Sequence, residues 1–186
     1  MPPIQYCTHS LGPLLAWTGD RVVSVIGQHT GSHCDPEFGS LDLELALCRT
    51  ARGALYKVLC GFSLHSEPGR HYYCVYGTKG MLESGRTNDS PDRGYLAGHP
   101  ETVGPAPNVV PPAQREAPEY ASVGGHGTSE WFMIDAWLRS VIDGTPPPID
   151  VHAGLDMTLP GLYAHQSAQQ GGVALDVPDS RSWVTA

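Results

Sequence analysis

The sequence predicts an α+β domain: a mostly antiparallel, open β-sheet with helices packed on one face. Three observations carry this. Strand-like runs follow one another across short turns in the first half, which calls for antiparallel pairing. Two long helical segments come together in the second half. A block of strands followed by a block of helices is the α+β order, not the strand–helix alternation of a parallel sheet.

The elements read as follows. Leu11–Trp17 is a short apolar helix, capped by Thr8 or Ser10 and stopped at Thr18-Gly19-Asp20. Arg21–Gly27 has the β-branched density of a strand, and His29–Ser40 is a Gly- and Ser-rich loop. In 41–50, Leu41, Leu43, Leu45 and Leu47 alternate with Asp42, Glu44 and Ala46. That pattern predicts a strand with its leucine face buried. Ala51-Arg52-Gly53 is a hairpin turn into the strand Ala54–Phe62. His71–Tyr76 forms a third arm, and Gly77–Gly80 turns it into Met81–Glu83. From 85 to 125 periodicity is lost, and six prolines lie from Pro100 to Pro118. This is a long Pro-rich loop or arm within a single domain of residues 1–186.

Thr128–Ile142 is the strongest helix, with Ile134, Trp137, Leu138, Val141 and Ile142 on one face. Each such side chain stabilises by about 1.5–3 kcal/mol when buried, so a core position against the sheet is expected. Gly144 suits the left-handed residue after a helix, and the prolines at 146–148 forbid continuation. A second helix spans 151–170, with a kink expected at Pro160-Gly161, and 173–182 adds an edge strand.

The chain has 186 residues, enough to bury about 70% of its unfolded surface without disulfide staples. Eleven basic against nineteen acidic residues give a net charge of −8, and Lys57 and Lys79 are the only lysines. No basic stripe exists, which argues against nucleic acid and anionic membranes as partners. The cysteines are five, an odd number, with no C-x-x-C. That argues against a disulfide framework or zinc ribbon and for a reducing, cytoplasmic setting. No secretory signal pattern or membrane-length apolar run is present.

Few residues have the character of a catalytic or binding group. His9 stands at the start of the first helix, where the positive end of the peptide dipoles favours the neutral ring that accepts a proton. The same position also suits a hydrogen-bonded cap. His126 lies in Gly124-Gly125-His126-Gly127, whose flexible backbone offers N–H groups to a polar ligand or simply turns into the next helix. Tyr163 and His165 sit on the last helix. His29, His33, Cys34 and Asp35 have a local metal-ligand flavour, but Gly31 and Pro36 make the segment a loop, and no metal is assigned. Asp156 is a cap, a solvated charge or the orienter of a histidine. There is no G-x-G-x-x-G after a strand, no P-loop and no G-x-S-x-G elbow.

The stretches THSLGPLLAWTGDRVVSV, LALCRTARGALYKV, YCVYGTKGMLE, the long run from GGHGTSEWF to YAHQSA, and VPDSR occur in this order. Together they resemble the C-terminal domain of the Gfo/Idh/MocA oxidoreductases, nearest to the NAD-dependent α-N-acetylgalactosaminidase branch. The resemblance implies that His9 is the acid or base beside the reacting sugar. It also implies that the open sheet face is covered by a second copy. The family's nucleotide-binding Rossmann domain and its catalytic lysine have no counterpart in this sequence. The expectation is therefore an enzyme without a nicotinamide cofactor, using His9 and His126 for proton transfer on a carbonyl-bearing sugar-, cyclitol- or natural-product-like molecule. The reaction class is elimination, dehydration, epimerisation or isomerisation. Tyr6, Gly125, Tyr163 and His165 are the expected substrate contacts. The rival readings are the substrate-binding subunit of a split oxidoreductase or glycosidase with a separate Rossmann chain, and a non-catalytic binding module. A homodimer is expected in each.

Overall fold

The computed structural model describes residues 1–65, 71–87, 90–98, 117–122 and 126–183. They fall into two compact units, Met1–Gly69 with Val151–Ala186, and Arg70–Asp150.

The first unit is a four-stranded antiparallel sheet with helices on one face. A 3-10 turn, Pro3–Tyr6, leads directly into helix α1, Thr8–Thr18. Neither Thr8 nor Ser10 caps α1: its N-cap is Cys7, with no side-chain cap, and the Ser10 N–H of the first turn donates instead to the Cys7 carbonyl at 2.9 Å. Leu11 and Leu15, one turn apart, are buried, and Gly19 ends the helix in the left-handed conformation (φ 57°). Strands β1 (Val22–His29), β2 (Leu43–Thr50) and β3 (Leu55–Gly61) follow. After helix α3, Val151–Gln169, comes the edge strand β7, Leu175–Asp176. The sheet order is β3-β2-β1-β7. Helix α3 runs through Pro160 as one element.

Strand β2 inverts the expected burial. Glu44, Ala46, Cys48 and Thr50 face the core, whereas Leu47 is exposed and Leu43 and Leu45 are only half-buried. The strand has the predicted period of two, but the leucines lie on the face without helices. Ala46 and Cys48 are small, which leaves room for the helices on that side, and Glu44 is accommodated by its hydrogen bonds with the Ile4 N–H and His165. The core there comprises Ile4, Leu11, Leu15, Val25, Val58 and Leu159, among others.

One close approach fixes α3 over β1. A Cβ on Gly27 would lie 1.9 Å from the Ala164 carbonyl oxygen. The Gly27 N–H donates to Ser167 Oγ (2.9 Å), tying strand to helix. The neighbouring side chain on α3, His165, thereby reaches β2.

The second unit contains a three-stranded antiparallel sheet, β4 (Cys74–Gly77), β5 (Gly80–Glu83) and β6 (Arg93–Leu96), in the order β4-β5-β6. Strand β6 falls inside the segment that shows no periodicity in sequence; at four residues it is too short to display any. The rest of that segment lies mostly outside the described residues. Helix α2, Ser129–Asp143, has the predicted span and the predicted stop at Gly144 (φ 65°). Its expected role in the core is not met: Ser140 is its only buried residue, and Ile134, Trp137, Leu138, Val141 and Ile142 are all exposed. Periodicity shows that a face is apolar, not what covers it. No described helix is long and apolar enough to cross a membrane.

Candidate functional site

The structure brings two of the candidate residues together at the start of α1. Because the 3-10 turn ends at Tyr6 and the helix begins at Thr8, Tyr6 and His9 share one side of the chain. His9 Nε2 lies 2.7 Å from the Tyr6 hydroxyl, and the two rings are 4.5 Å apart, centroid to centroid. Phe62, just past the end of β3, packs edge-on against Tyr6 at 5.1 Å. An imidazole hydrogen-bonded to a phenol can pass a proton in either direction. The aromatic edge of Phe62 holds the phenol in place.

His165 is not alone on its helix. Its Nδ1 lies 2.7 Å from Glu44 Oε1, and Glu44 Oε2 accepts the Ile4 backbone N–H at 3.0 Å. Glu44 is completely buried. Its partner ring borders a cleft of about 410 Å³, lined also by His29, Phe38, Ser40, Leu41 and Gln169. Glu44 is the residue that sequence reasoning missed. The available signal was its register with Ala46 and Cys48, two residue types that are commonly buried.

Tyr163 is half-buried and packs against the core of the first unit. His126 belongs to the second unit, where Nδ1 lies 2.6 Å from Glu130 Oε1 and the same oxygen accepts the His126 N–H. That carboxylate, in the first turn of α2, reaches back to the chain before the helix as in a capping box. The hydrogen bond from His126 holds the Glu130 carboxyl below its ordinary value. Gly125 lies outside the described residues.

The remaining polar candidates have structural partners. Asp42 accepts the N–H groups of His33 (2.8 Å) and Cys34 (3.1 Å), pinning the loop after β1. Burial pushes its carboxyl up, and these donors more than reverse the effect, leaving it below the usual value. Asp156 pairs with Arg181 at 2.8 Å. Among the described residues, no group of three or more histidine, cysteine or acidic side chains is arranged to hold a metal ion. Nor is there a parallel strand–turn–helix unit to cradle a pyrophosphate: the described strands are all antiparallel. These residues alone do not fit a dinucleotide.

No family model matches the chain. A glycosyl hydrolase family 109 protein of Solibacter usitatus (strain Ellin6076) is 26% identical over 200 residues, covering 94% of this chain and 44% of the relative. A second, from Streptomyces filamentosus, is 25% identical, with 94% and 39% covered. Among solved structures, the aldose-aldose oxidoreductase of Caulobacter crescentus, complexed with glycerol, superposes with a TM-score of 0.66 at 19% identity, over 91% of this chain and 45% of that one. A levoglucosan dehydrogenase in complex with NADH and L-sorbose gives 0.62 at 16% identity, over 94% and 50%. The chain thus spans a little under half the length of the curated relatives it matches. It is a distant homologue of the glycosyl hydrolase family 109 proteins and has the fold of the C-terminal half of the Gfo/Idh/MocA oxidoreductases.

Proposed function

We propose that this chain recognises a carbonyl-bearing sugar or cyclitol and that His9 with Tyr6 moves its protons. The hydrogen bond of 2.7 Å between the His9 imidazole and the Tyr6 phenol carries this reading. In the proposed step His9 takes the proton from the carbon beside the carbonyl, and the Tyr6 O–H donates to the carbonyl oxygen. The resulting enol either expels a group from the next carbon, which leaves with the proton that His9 took, an elimination, or takes a proton from water on the opposite face while His9 returns its own to solvent, an epimerisation. Each path returns the phenolic proton when the carbonyl re-forms. The names of the relatives, a glycoside hydrolase family and sugar oxidoreductases, support a sugar as substrate class.

A second reading has its own support: the chain covers under half of its relatives' length. In it this domain is the substrate-binding half of an oxidoreductase or glycosidase, and a separate polypeptide holds NAD(P). Both readings place the domain in a homodimer through its open sheet face and, with its five free thiols, in a reducing compartment.

Deuterium incorporation from heavy water into a keto-glucopyranoside, followed by proton NMR, tests the first. Exchange by the purified chain, lost in His9→Ala, is the expected result. Exchange that survives His9→Ala rules out the assignment. Turnover only after a nucleotide-binding partner chain and NAD(P) are added establishes the second.

A further inference from the structure

The cleft beside His165 shares no residue with the His9–Tyr6–Phe62 group, and its two histidines are held in opposite hydrogen-bonding states. The Gly31 N–H donates to His29 Nδ1 at 3.1 Å, so that nitrogen is an acceptor. In a neutral ring the proton then sits on Nε2, which becomes a donor. His165 is the reverse. Its Nδ1 faces the buried Glu44 carboxylate at 2.7 Å and must donate, which in a neutral ring leaves Nε2 as an acceptor. Glu44 itself is pinned by the Ile4 N–H, and its side chain is only 1% exposed. The wall containing Phe38, Ser40 and Leu41 belongs to a loop fastened by the two N–H donors on Asp42.

We infer that this cleft is a second ligand site, for a small neutral polyol, in which His29 donates to one ligand oxygen and His165 accepts from another hydroxyl. A hydroxyl both gives and takes a proton, so a vicinal polyol satisfies a fixed donor and a fixed acceptor together. Ser40 and Gln169 add adaptable polar groups, and the exposed ring of Phe38 offers an apolar surface to the C–H face of such a molecule. No lysine or arginine side chain lines the cleft; Met1, with its amino group, is in the lining and the buried Glu44 carboxylate stands behind His165, opposite charges that favour a neutral ligand over an anion. Glu44 acts as a positioning residue, because it sets the tautomer of His165 without lining the cleft.

Nitrogen-15 NMR of the histidine rings, with xylitol as the probe, tests this. Before addition, His165 should show its proton on Nδ1 and His29 on Nε2. Xylitol should shift both rings saturably and leave His9 unmoved. His29→Ala, at an exposed position, and His165→Gln should each weaken binding by about fivefold, the value of one ordinary hydrogen bond. His9→Ala should bind xylitol as the unaltered protein does, which separates this site from the one proposed above. A proton on Nε2 of His165, shifts at His9 alone, no saturable shift, or unchanged affinity in His29→Ala would each overturn the assignment.

Discussion

His9 and Glu44 show two ways in which a single residue matters here. His9 is half-buried and paired with Tyr6, three residues away, so its removal opens little of the core. His9→Ala should therefore lower a proton-transfer rate by about 10²–10⁴ while costing only about 0.5–2 kcal/mol of stability. Tyr6→Phe keeps the ring on Phe62 and removes one hydroxyl, so its rate loss should be smaller. Steady-state kinetics and thermal melts on both variants check the order. Glu44 is the opposite case. It satisfies a backbone N–H forty residues away in sequence and a histidine on another element. Glu44→Ala leaves the Ile4 N–H without a partner and opens a cavity, so urea denaturation should show a loss of about 3 kcal/mol.

At the scale of elements, the contact of α3 with β1 is the most demanding. Any side chain at 27 meets the Ala164 carbonyl, which is backbone and cannot rotate away. Gly27→Ala should cost about 3 kcal/mol or more and displace α3, and with it His165; denaturation and the loss of the His165 NMR signature report both. The same layer holds three thiols. Burial pushes Cys7 and Cys48 up from 9.0 to about 12 and Cys60 to about 11. In the unfolded chain these groups ionise near 9.0, whereas in the folded chain they stay protonated. Between those values the folded state binds more protons, so stability falls as pH rises. The contribution is intact below pH about 9 and is lost progressively through pH about 11–12. Melting curves across this range should show the decline, and replacing Cys7 and Cys48 by Ala should flatten it. Alkylation of the folded protein at neutral pH should spare all three, since the thiolate is the nucleophile.

For the whole molecule, the helix-free face of the first sheet is an unsatisfied surface. Ile26 pairs across strands with Leu47, and Leu45 with Leu59, which builds a connected apolar stripe. Ile26, Leu47 and Leu59 are exposed. A stripe of this kind on an open sheet invites burial by a second copy through a two-fold axis. Light scattering should give a dimer, and Leu47→Asp should shift it toward monomer without lowering the monomer's helical content. A monodisperse monomer for the unaltered chain would refute the prediction.

The α+β class, the hairpin at Ala51-Arg52-Gly53 and the stops at Gly19 and Gly144 were all legible from residue order. Each depends on interactions within a few positions of the chain, where turn geometry and helical spacing act directly. Tyr6 and His9 were singled out separately, as a substrate contact and as the acid or base; that they pair rests on the 3-10 turn running into α1, which residue order did not reveal. The direction in which β2 turns its leucines was not legible either, because alternation defines two faces without saying which one the helices occupy. Strand β6 was hidden by its shortness, and the apolar face of α2 was legible as a face but not as an uncovered one. Glu44 and His165 are 121 positions apart, and only the docking of α3 on β1 at Gly27 brings them within hydrogen-bonding distance. Local sequence determined which elements form. Long-range packing decided which side chains they bury and which polar groups they bring together, because that depends on shape fit between segments distant along the chain.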